Sequence, residues 1–342
     1  MAKFDPFRRL LFRLEPERAH RLTMQLLAFA GGIPPLRSGL RRIFSFELPS
    51  LRVRAFGLDF ANPLGLAAGY DKDGLAMHGL ACLGFGHLEL GTVTLDQQFG
   101  NPRPRLFRLP EDQALINRLG FPNQGMERLL ERLKSRPEDI VLGINIGKSA
   151  ETPIEEASHD YVRLMRLVYE DADYLAVNIS SPNTIGLREL QSRRFLEGIL
   201  RDLADARSQL IDKSGKSRPV LIKLAPDLND SELEEAIEVI IEAGMDGVIV
   251  ANTTTSRDGL RSLSKVESGG LSGLPLTNRS TEMIRKASSM SGGRLPIIGV
   301  GGVFGPGQAK EKLDAGATLI QVYTGMVYRG PGLIREVLAA LG

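Results

Sequence analysis

The sequence predicts a (β/α)8 barrel of the TIM type, and three observations carry that expectation. Eight apolar runs of strand length recur along the chain, each followed by a stretch with helical periodicity. The runs are apolar throughout rather than alternating, as parallel strands covered on both faces are. Chemistry-bearing side chains gather where the runs end, which in this fold is where an active site is built.

The strand runs fall at residues 65–69, 87–94, 141–147, 174–180, 220–225, 247–252, 295–300 and 319–324. The helical stretches are 72–83, 124–135, 154–170, 193–210, 230–243, 277–290, 306–315 and 331–341. Asp230 and Thr277 suit helix N-caps, and Gly244 and Gly316 follow helix ends. Eight alternating units in 342 residues favour a closed barrel over a doubly wound sheet. No G-x-G-x-x-G joins an early strand to its helix, as a dinucleotide fold requires. Two segments stand outside the repeat. Residues 51–60 alternate around Gly57 and predict a hairpin capping the barrel floor, and residues 105–117 predict a second hairpin inserted after strand two.

Residues 1–45 differ in charge from the rest, +6 against −4. Phe4, Phe7, Leu10, Leu11 and Leu14, then Leu22, Leu26, Leu27 and Phe29, recur at helical intervals on either side of Pro16. Two short basic amphipathic helices are predicted, a pattern suited to an anionic membrane surface. Packing on the barrel or on a partner is the alternative. The apolar run 26–30 is too short to span a bilayer, and Arg21 and Gln25 interrupt any signal-peptide core. The expected organisation is a helical extension over 1–45 and a barrel over 46–342, soluble or peripheral at the cytoplasmic face of the cell membrane.

Composition narrows the chemistry. With 42% apolar residues the chain can bury a large core. The single cysteine, Cys82, excludes an internal disulfide and a cysteine-based zinc or iron–sulfur site. Four scattered histidines do not make a metal cluster, and a net charge of +2 gives no reason to expect nucleic acid.

The most informative stretch is 174–184, Tyr-Leu-Ala-Val-Asn-Ile-Ser-Ser-Pro-Asn-Thr, where an apolar strand runs out into Asn178, Ser181 and Asn183. Strand interiors do not need such residues. A loop holding a polar ligand does, with Ser181 placed to exchange a proton with it. The other strand ends add Lys72, Thr92, Asn145, Lys223 and Asn252-Thr253. Residues 269–273, 299–302 and 323–325 are glycine-rich, as a phosphate cradle is, and the helix starting near Pro306 offers its positive end. Tight turns are the alternative for any one glycine pair. Two lysines at strand ends, Lys72 and Lys223, suggest a bound anion or developing negative charge, and the alternative for Lys72 is a surface ion pair with Asp71 or Asp73. Lys223 lies in Val-Leu-Ile-Lys-Leu-Ala-Pro, partly desolvated and facing the barrel mouth, so a Schiff-base role competes with anion stabilisation. The many amides favour a flat, polar heterocyclic ligand.

At this point the chain resembles dihydroorotate dehydrogenase. The matching segments are 67–74 (AAGYDKDG), 89–94 (ELGTVT), 116–121 (INRLGF), 143–147 (GINIG), 177–184, 222–227 (IKLAPD), 252–254 (NTT), 269–273 and 298–302. They run in order along nearly the whole chain. The resemblance implies oxidation of (S)-dihydroorotate to orotate in pyrimidine biosynthesis, with one FMN per chain and a membrane quinone as acceptor. Ser181 in place of a catalytic cysteine, with the N-terminal extension, implies the quinone-reducing class. By similarity Ser181 is the catalytic base, and Lys72, Asn117, Arg118, Leu119, Gly120, Phe121, Asn178, Asn183, Asn252 and Thr253 hold the substrate. FMN falls to Ala68, Gly69, Lys72, Thr92, Asn145, Asn178, Lys223 and Ala251, with its phosphate on Gly273, Gly302, Tyr323 and Thr324. His20, Arg108 and Tyr323 match a quinone tunnel. The chain departs from the family pattern in the loop 95–101 (LDQQFGN), at Pro122 and at Ala251. A related FMN barrel reducing another pyrimidine, and a non-catalytic nucleotide-binding membrane protein, are the competing readings.

Overall fold

The structure, a computed structural model, describes residues 5–342; Lys3 and Phe4, which entered the reading of the N-terminal segment, lie outside the described residues. Three helices come first: α1 (Asp5–Phe12), α2 (Pro16–Gly32) and α3 (Pro34–Phe44). Two were expected. The third follows Gly31-Gly32-Ile33-Pro34-Pro35, which reads as a loop, yet prolines in a first helical turn lose only N–H groups that have no acceptor there. Helix α2 opens similarly on Pro16, with the Glu15 carboxylate accepting from the N–H groups of Glu17 and Arg18.

Strands β1 (Val53–Ala55) and β2 (Leu58–Phe60) form the predicted hairpin, turning at Phe56 and Gly57. The barrel then runs β3 (Leu64–Leu66), α4 (Met77–Ala81) and β4 (His87–Val93). The insertion β5 (Leu106–Leu109) and β6 (Ala114–Asn117) follows. The repeat resumes with α5 (Met126–Leu133), β7 (Val141–Ile146), α6 (Ala157–Val168), β8 (Tyr174–Asn178), α7 (Arg193–Ser214), β9 (Val220–Leu224), α8 (Asp230–Glu242) and β10 (Gly247–Val250). After β11 (Gly270–Gly273) come α9 (Thr277–Ser291), β12 (Ile297–Val300), α10 (Pro306–Asp314), β13 (Leu319–Val322), α11 (Thr324–Arg329) and α12 (Gly332–Leu341). Eight parallel strands close in the order β3-β4-β7-β8-β9-β10-β12-β13.

Period-two geometry explains how apolar runs carry a polar interior. In β8, Leu175 and Val177 join the core cluster that includes Leu164 and Leu200 of the surrounding helices, while Tyr174 and Ala176 join an inner cluster with Leu221, Ile249, Ile298 and Leu319. Ala55 and Phe60 of the hairpin join that inner cluster, so the hairpin plugs the barrel floor. Bulky rings face glycines: a Cβ on Gly65 would meet the His87 ring at 2.1 Å, and one on Gly143 the Tyr174 ring at 2.0 Å.

Several local expectations change. The first barrel helix is only Met77–Ala81, because residues 71–76 form a loop in which the Asp71 carboxylate accepts from the N–H groups of Leu75 and Ala76. Asn229, not Asp230, caps α8, in a capping box with Glu232. Thr277 begins α9 rather than capping it, and its hydroxyl reaches the Leu274 and Gly302 carbonyls. Residues 270–273, expected as a loop, form β11, antiparallel to β6, which makes the 105–117 insertion a three-stranded sheet.

The extension docks tightly. Helix α2 crosses α4 so closely that a Cβ on Gly79 would lie 2.2 Å from the Leu27 carbonyl oxygen and one on Gly31 2.3 Å from the Gly79 nitrogen. Arg105, 6% exposed, donates to the Glu17 carboxylate of α2 and to the Phe99 and Asn101 carbonyls.

Candidate active site

A void of ≈ 1060 Å³, open solvent included, lies at the C-terminal mouth of the barrel. Of the residues predicted for substrate and FMN, all but Arg118 and Asn145 line it. Arg118 turns outward, ion-paired with Glu267 and stacked over Phe107. Asn145 lies one layer down, accepting from Thr92 Oγ1 at 2.5 Å and donating to Glu89 Oε1 at 2.8 Å.

Asn145 belongs to a buried polar layer that the sequence reading missed. Glu89 Oε1 also accepts from Lys223 Nζ at 3.3 Å, and Oε2 from Gln321 Nε2 at 2.8 Å and the Tyr174 hydroxyl at 3.2 Å. Lys223 is therefore not without an acid; the acid is supplied by another strand. Burial alone would raise the Glu89 carboxyl, but Lys223 and the hydrogen bonds from Gln321 and Asn145 hold it below the ordinary carboxylate range. Below Gln321, His87 is kept neutral, its pKa pushed down to about 4 by burial. The signal for this layer was present: Glu89, Lys223 and Gln321 are inward-facing polar positions inside apolar runs.

From Thr92 the network continues upward. Asn178 Nδ2 donates to Thr92 Oγ1 at 2.9 Å, Ser180 Oγ donates to Asn178 Oδ1 at 3.0 Å, and Asn252 Nδ2 donates to Ser180 Oγ at 2.9 Å. Asn183 Nδ2 donates to Asn117 Oδ1 at 2.9 Å, joining the loop after β8 to the inserted sheet. Amides locked this way present fixed donors and acceptors. Ser181 Oγ accepts the Asn183 N–H at 3.2 Å on the cavity wall. Lys72 Nζ donates to the Gly69 carbonyl at 2.8 Å rather than pairing with Asp71 or Asp73, and desolvation lowers its pKa.

The far end of the cavity is a nest of donors. The Gly301 and Gly302 carbonyls face α9, each 3.0 Å from a hydroxyl, Ser280 Oγ and Thr277 Oγ1, which also have the Thr277 carbonyl at 3.1 Å and the Leu274 carbonyl at 2.8 Å within donating reach. Both peptides are trans, so the N–H groups of Gly302 and Val303 point the opposite way, off α9 and toward the cavity those residues line. With the N–H groups of Thr324 and Gly325, they find no acceptor among the described residues. Unpaired donors converging beside Gly273 fit a phosphate. The helix that reaches the cavity is α11, through Thr324 and Gly325, and not the one starting at Pro306, which does not line it.

A second void, ≈ 1900 Å³ with open solvent, lies between the N-terminal helices and the barrel rim. Its lining is apolar apart from Thr23, His20, Arg108 and the tyrosines Tyr70 and Tyr323, and it shares Leu106, Leu115 and Tyr323 with the first. The Arg108 guanidinium donates to the Leu14 carbonyl at 2.8 Å and sits over the Phe12 ring. Rings connect the two voids edge to face, His20 to Tyr70 at 5.1 Å and Tyr70 to Tyr323 at 5.4 Å. Desolvation, then the Lys72 charge, push the His20 pKa down to about 4.

The family profile of dihydroorotate dehydrogenase matches residues 50–342. The dihydroorotate dehydrogenase (quinone) of Azotobacter vinelandii is 49% identical over 98% of this chain and 95% of its own length. That of Paraburkholderia phymatum is 47% identical over 97% of this chain and 95% of its own length. The crystal structure of Eimeria tenella DHODH in complex with ferulenol superposes with a TM-score of 0.88 at 39% identity, covering 95% of this chain and 90% of that one. On the closed barrel, the polar mouth and these likenesses together, the chain belongs to the dihydroorotate dehydrogenase family.

Proposed function

We propose that the chain oxidises dihydroorotate to orotate at the barrel mouth in pyrimidine biosynthesis and passes the electrons through FMN to a quinone in the second cavity. One observation carries the reading: a polar cavity holding Ser181 and a set of locked amides shares a wall, at Tyr323, with an apolar cavity under the N-terminal helices. When bound, FMN supplies the acceptor for the two electrons that leave the substrate. The donor nest at Gly302, Val303 and Thr324 suits its phosphate, and Thr92, Asn178 and Lys223 suit its ring.

The protein's own groups then have distinct tasks. Asn117, Asn183, Asn252 and Thr253 hold the pyrimidine ring and carboxylate, with Lys72 supplying positive charge. Ser181 Oγ takes the proton from C5 of dihydroorotate as its own hydroxyl proton leaves along a hydrogen-bonded path; serine is a weak base, so the Asn183 N–H at 3.2 Å and the Lys72 charge favour that loss by stabilising the alkoxide character of Oγ before the C5 proton arrives. Lys223, held by Glu89 at 3.3 Å, offsets negative charge at the mouth. Replacing Ser181 with alanine tests the assignment: dihydroorotate-driven flavin reduction slows by roughly 10²–10⁴-fold with flavin retained, and unchanged reduction refutes the base.

The extension supports quinone access from a membrane surface. Leu10, Leu26, Phe29 and Ile43 are each at least half exposed, at 59%, 50%, 63% and 60%, and arginines punctuate the same helices. No helix among the described residues is long and apolar enough to cross a membrane. Residues 1–45 act as a peripheral anchor, and residues 46–342 as the catalytic barrel.

A further inference from the structure

Lys312 of α10 is fully buried yet makes no ion pair among the described residues, and no step assigned above uses it. Its ammonium donates to Ser280 Oγ at 2.5 Å and Thr281 Oγ1 at 3.1 Å, both hydroxyls of α9. An isolated buried ammonium is costly unless a negative charge is nearby for part of the protein's working life. The hydroxyl it holds lies 3.0 Å from the Gly301 carbonyl and 3.1 Å from the Thr277 carbonyl; donated to Gly301, its proton fixes the peptide whose following N–H faces the cavity. Charge, hydroxyl, peptide and N–H lie in series.

We propose that Lys312 is a positioning residue for anion recognition, acting from behind the glycine nest through Ser280 and the Gly301–Gly302 peptide. The chain of donors polarises each member in turn, which strengthens the last N–H as a donor. The ammonium adds a positive potential that the buried surroundings screen less than water would. Its pKa, pushed down to about 8 by burial, leaves it charged near neutral pH. The ligand so recognised is a phosphate monoester dianion, and the inference rests on the reading of the nest as the FMN phosphate site.

Comparing FMN with riboflavin, which lacks the phosphate, separates the two ideas. The apoprotein, its Lys312→Met variant and its Ser280→Ala variant are titrated with each flavin by fluorescence quenching. Lys312→Met is expected to weaken FMN about tenfold, the scale of a partly screened charge acting across that relay, and to leave riboflavin within about twofold. Ser280→Ala shifts the FMN-to-riboflavin ratio in the same direction, and it decides the matter if Lys312→Met does not fold. Equal losses for both flavins, or an unchanged ratio, make Lys312 mere packing and overturn the inference. A parent protein that binds both flavins equally removes the phosphate site itself, and the inference with it.

Discussion

Glutamine at position 89 changes one atom in the middle of the barrel. The carboxylate accepts from Asn145, Lys223, Gln321 and Tyr174. An amide keeps one acceptor, and the Gln321 Oε1 atom, without a partner among the described residues, can turn to accept from the new NH₂. Much of the hydrogen bonding is thus recoverable; the charge is not. Breaking a buried pair leaves an uncompensated ion and costs roughly 3–5 kcal/mol, which in a chain of this size lowers Tm by about 5–10 °C. The assay is thermal unfolding of the flavin-free protein, because bound ligand also raises Tm and Lys223 lines the cavity assigned to the flavin. The double variant Glu89→Gln, Lys223→Met supplies the sign test: with the stranded charge removed, it melts above Glu89→Gln alone. The pH dependence follows from the depressed carboxyl. Its stabilisation is present above the ordinary carboxylate pKa and is lost as pH falls through the lower folded value. Glu89→Gln flattens that acid limb. A single variant melting within about 1 °C of the parent, or a double variant less stable than the single, refutes the reasoning.

Gly79→Ala places a Cβ against the Leu27 carbonyl, so α2 must lift; quinone turnover falls several-fold and stability by about 1–3 kcal/mol, while substrate-driven flavin reduction persists, as stopped-flow on the same preparation shows. His20 and His87 stay neutral down to about 4, whereas an unfolded chain protonates them near 6.5, so stability falls as pH drops through that interval. Urea midpoints across the interval measure the drop, and His20→Gln makes it smaller. Exchanging Leu10 and Ile43, which are exposed and do not line the second cavity, for serine weakens sedimentation with anionic vesicles by about tenfold without altering reduction of a short-chain quinone; unchanged vesicle binding removes these residues from the membrane face.

The barrel was legible because its signals are local. Continuous apolar runs, helical spacing between them and amides at run ends each depend on a few neighbouring residues. So was most of the mouth, since strand ends must converge once the barrel closes. What escaped depends on partners remote in sequence. The acid beside Lys223 lies 134 positions earlier, on β4. The 270–273 segment became a strand because β6 offers it an edge, which its glycines do not announce. Arg118 follows Asn117 directly, yet strand alternation sends its side chain to Glu267 rather than to the cavity. The resemblance named the residues, and only the fold separated those that line the mouth from Asn145, which supports them.

The most direct test of the whole account is the visible spectrum of the purified, FMN-loaded protein before and after dihydroorotate is added without oxygen. The account predicts that the flavin band bleaches and that a quinone then restores it. A flavin band that dihydroorotate leaves unchanged contradicts the proposed chemistry, whatever the barrel holds.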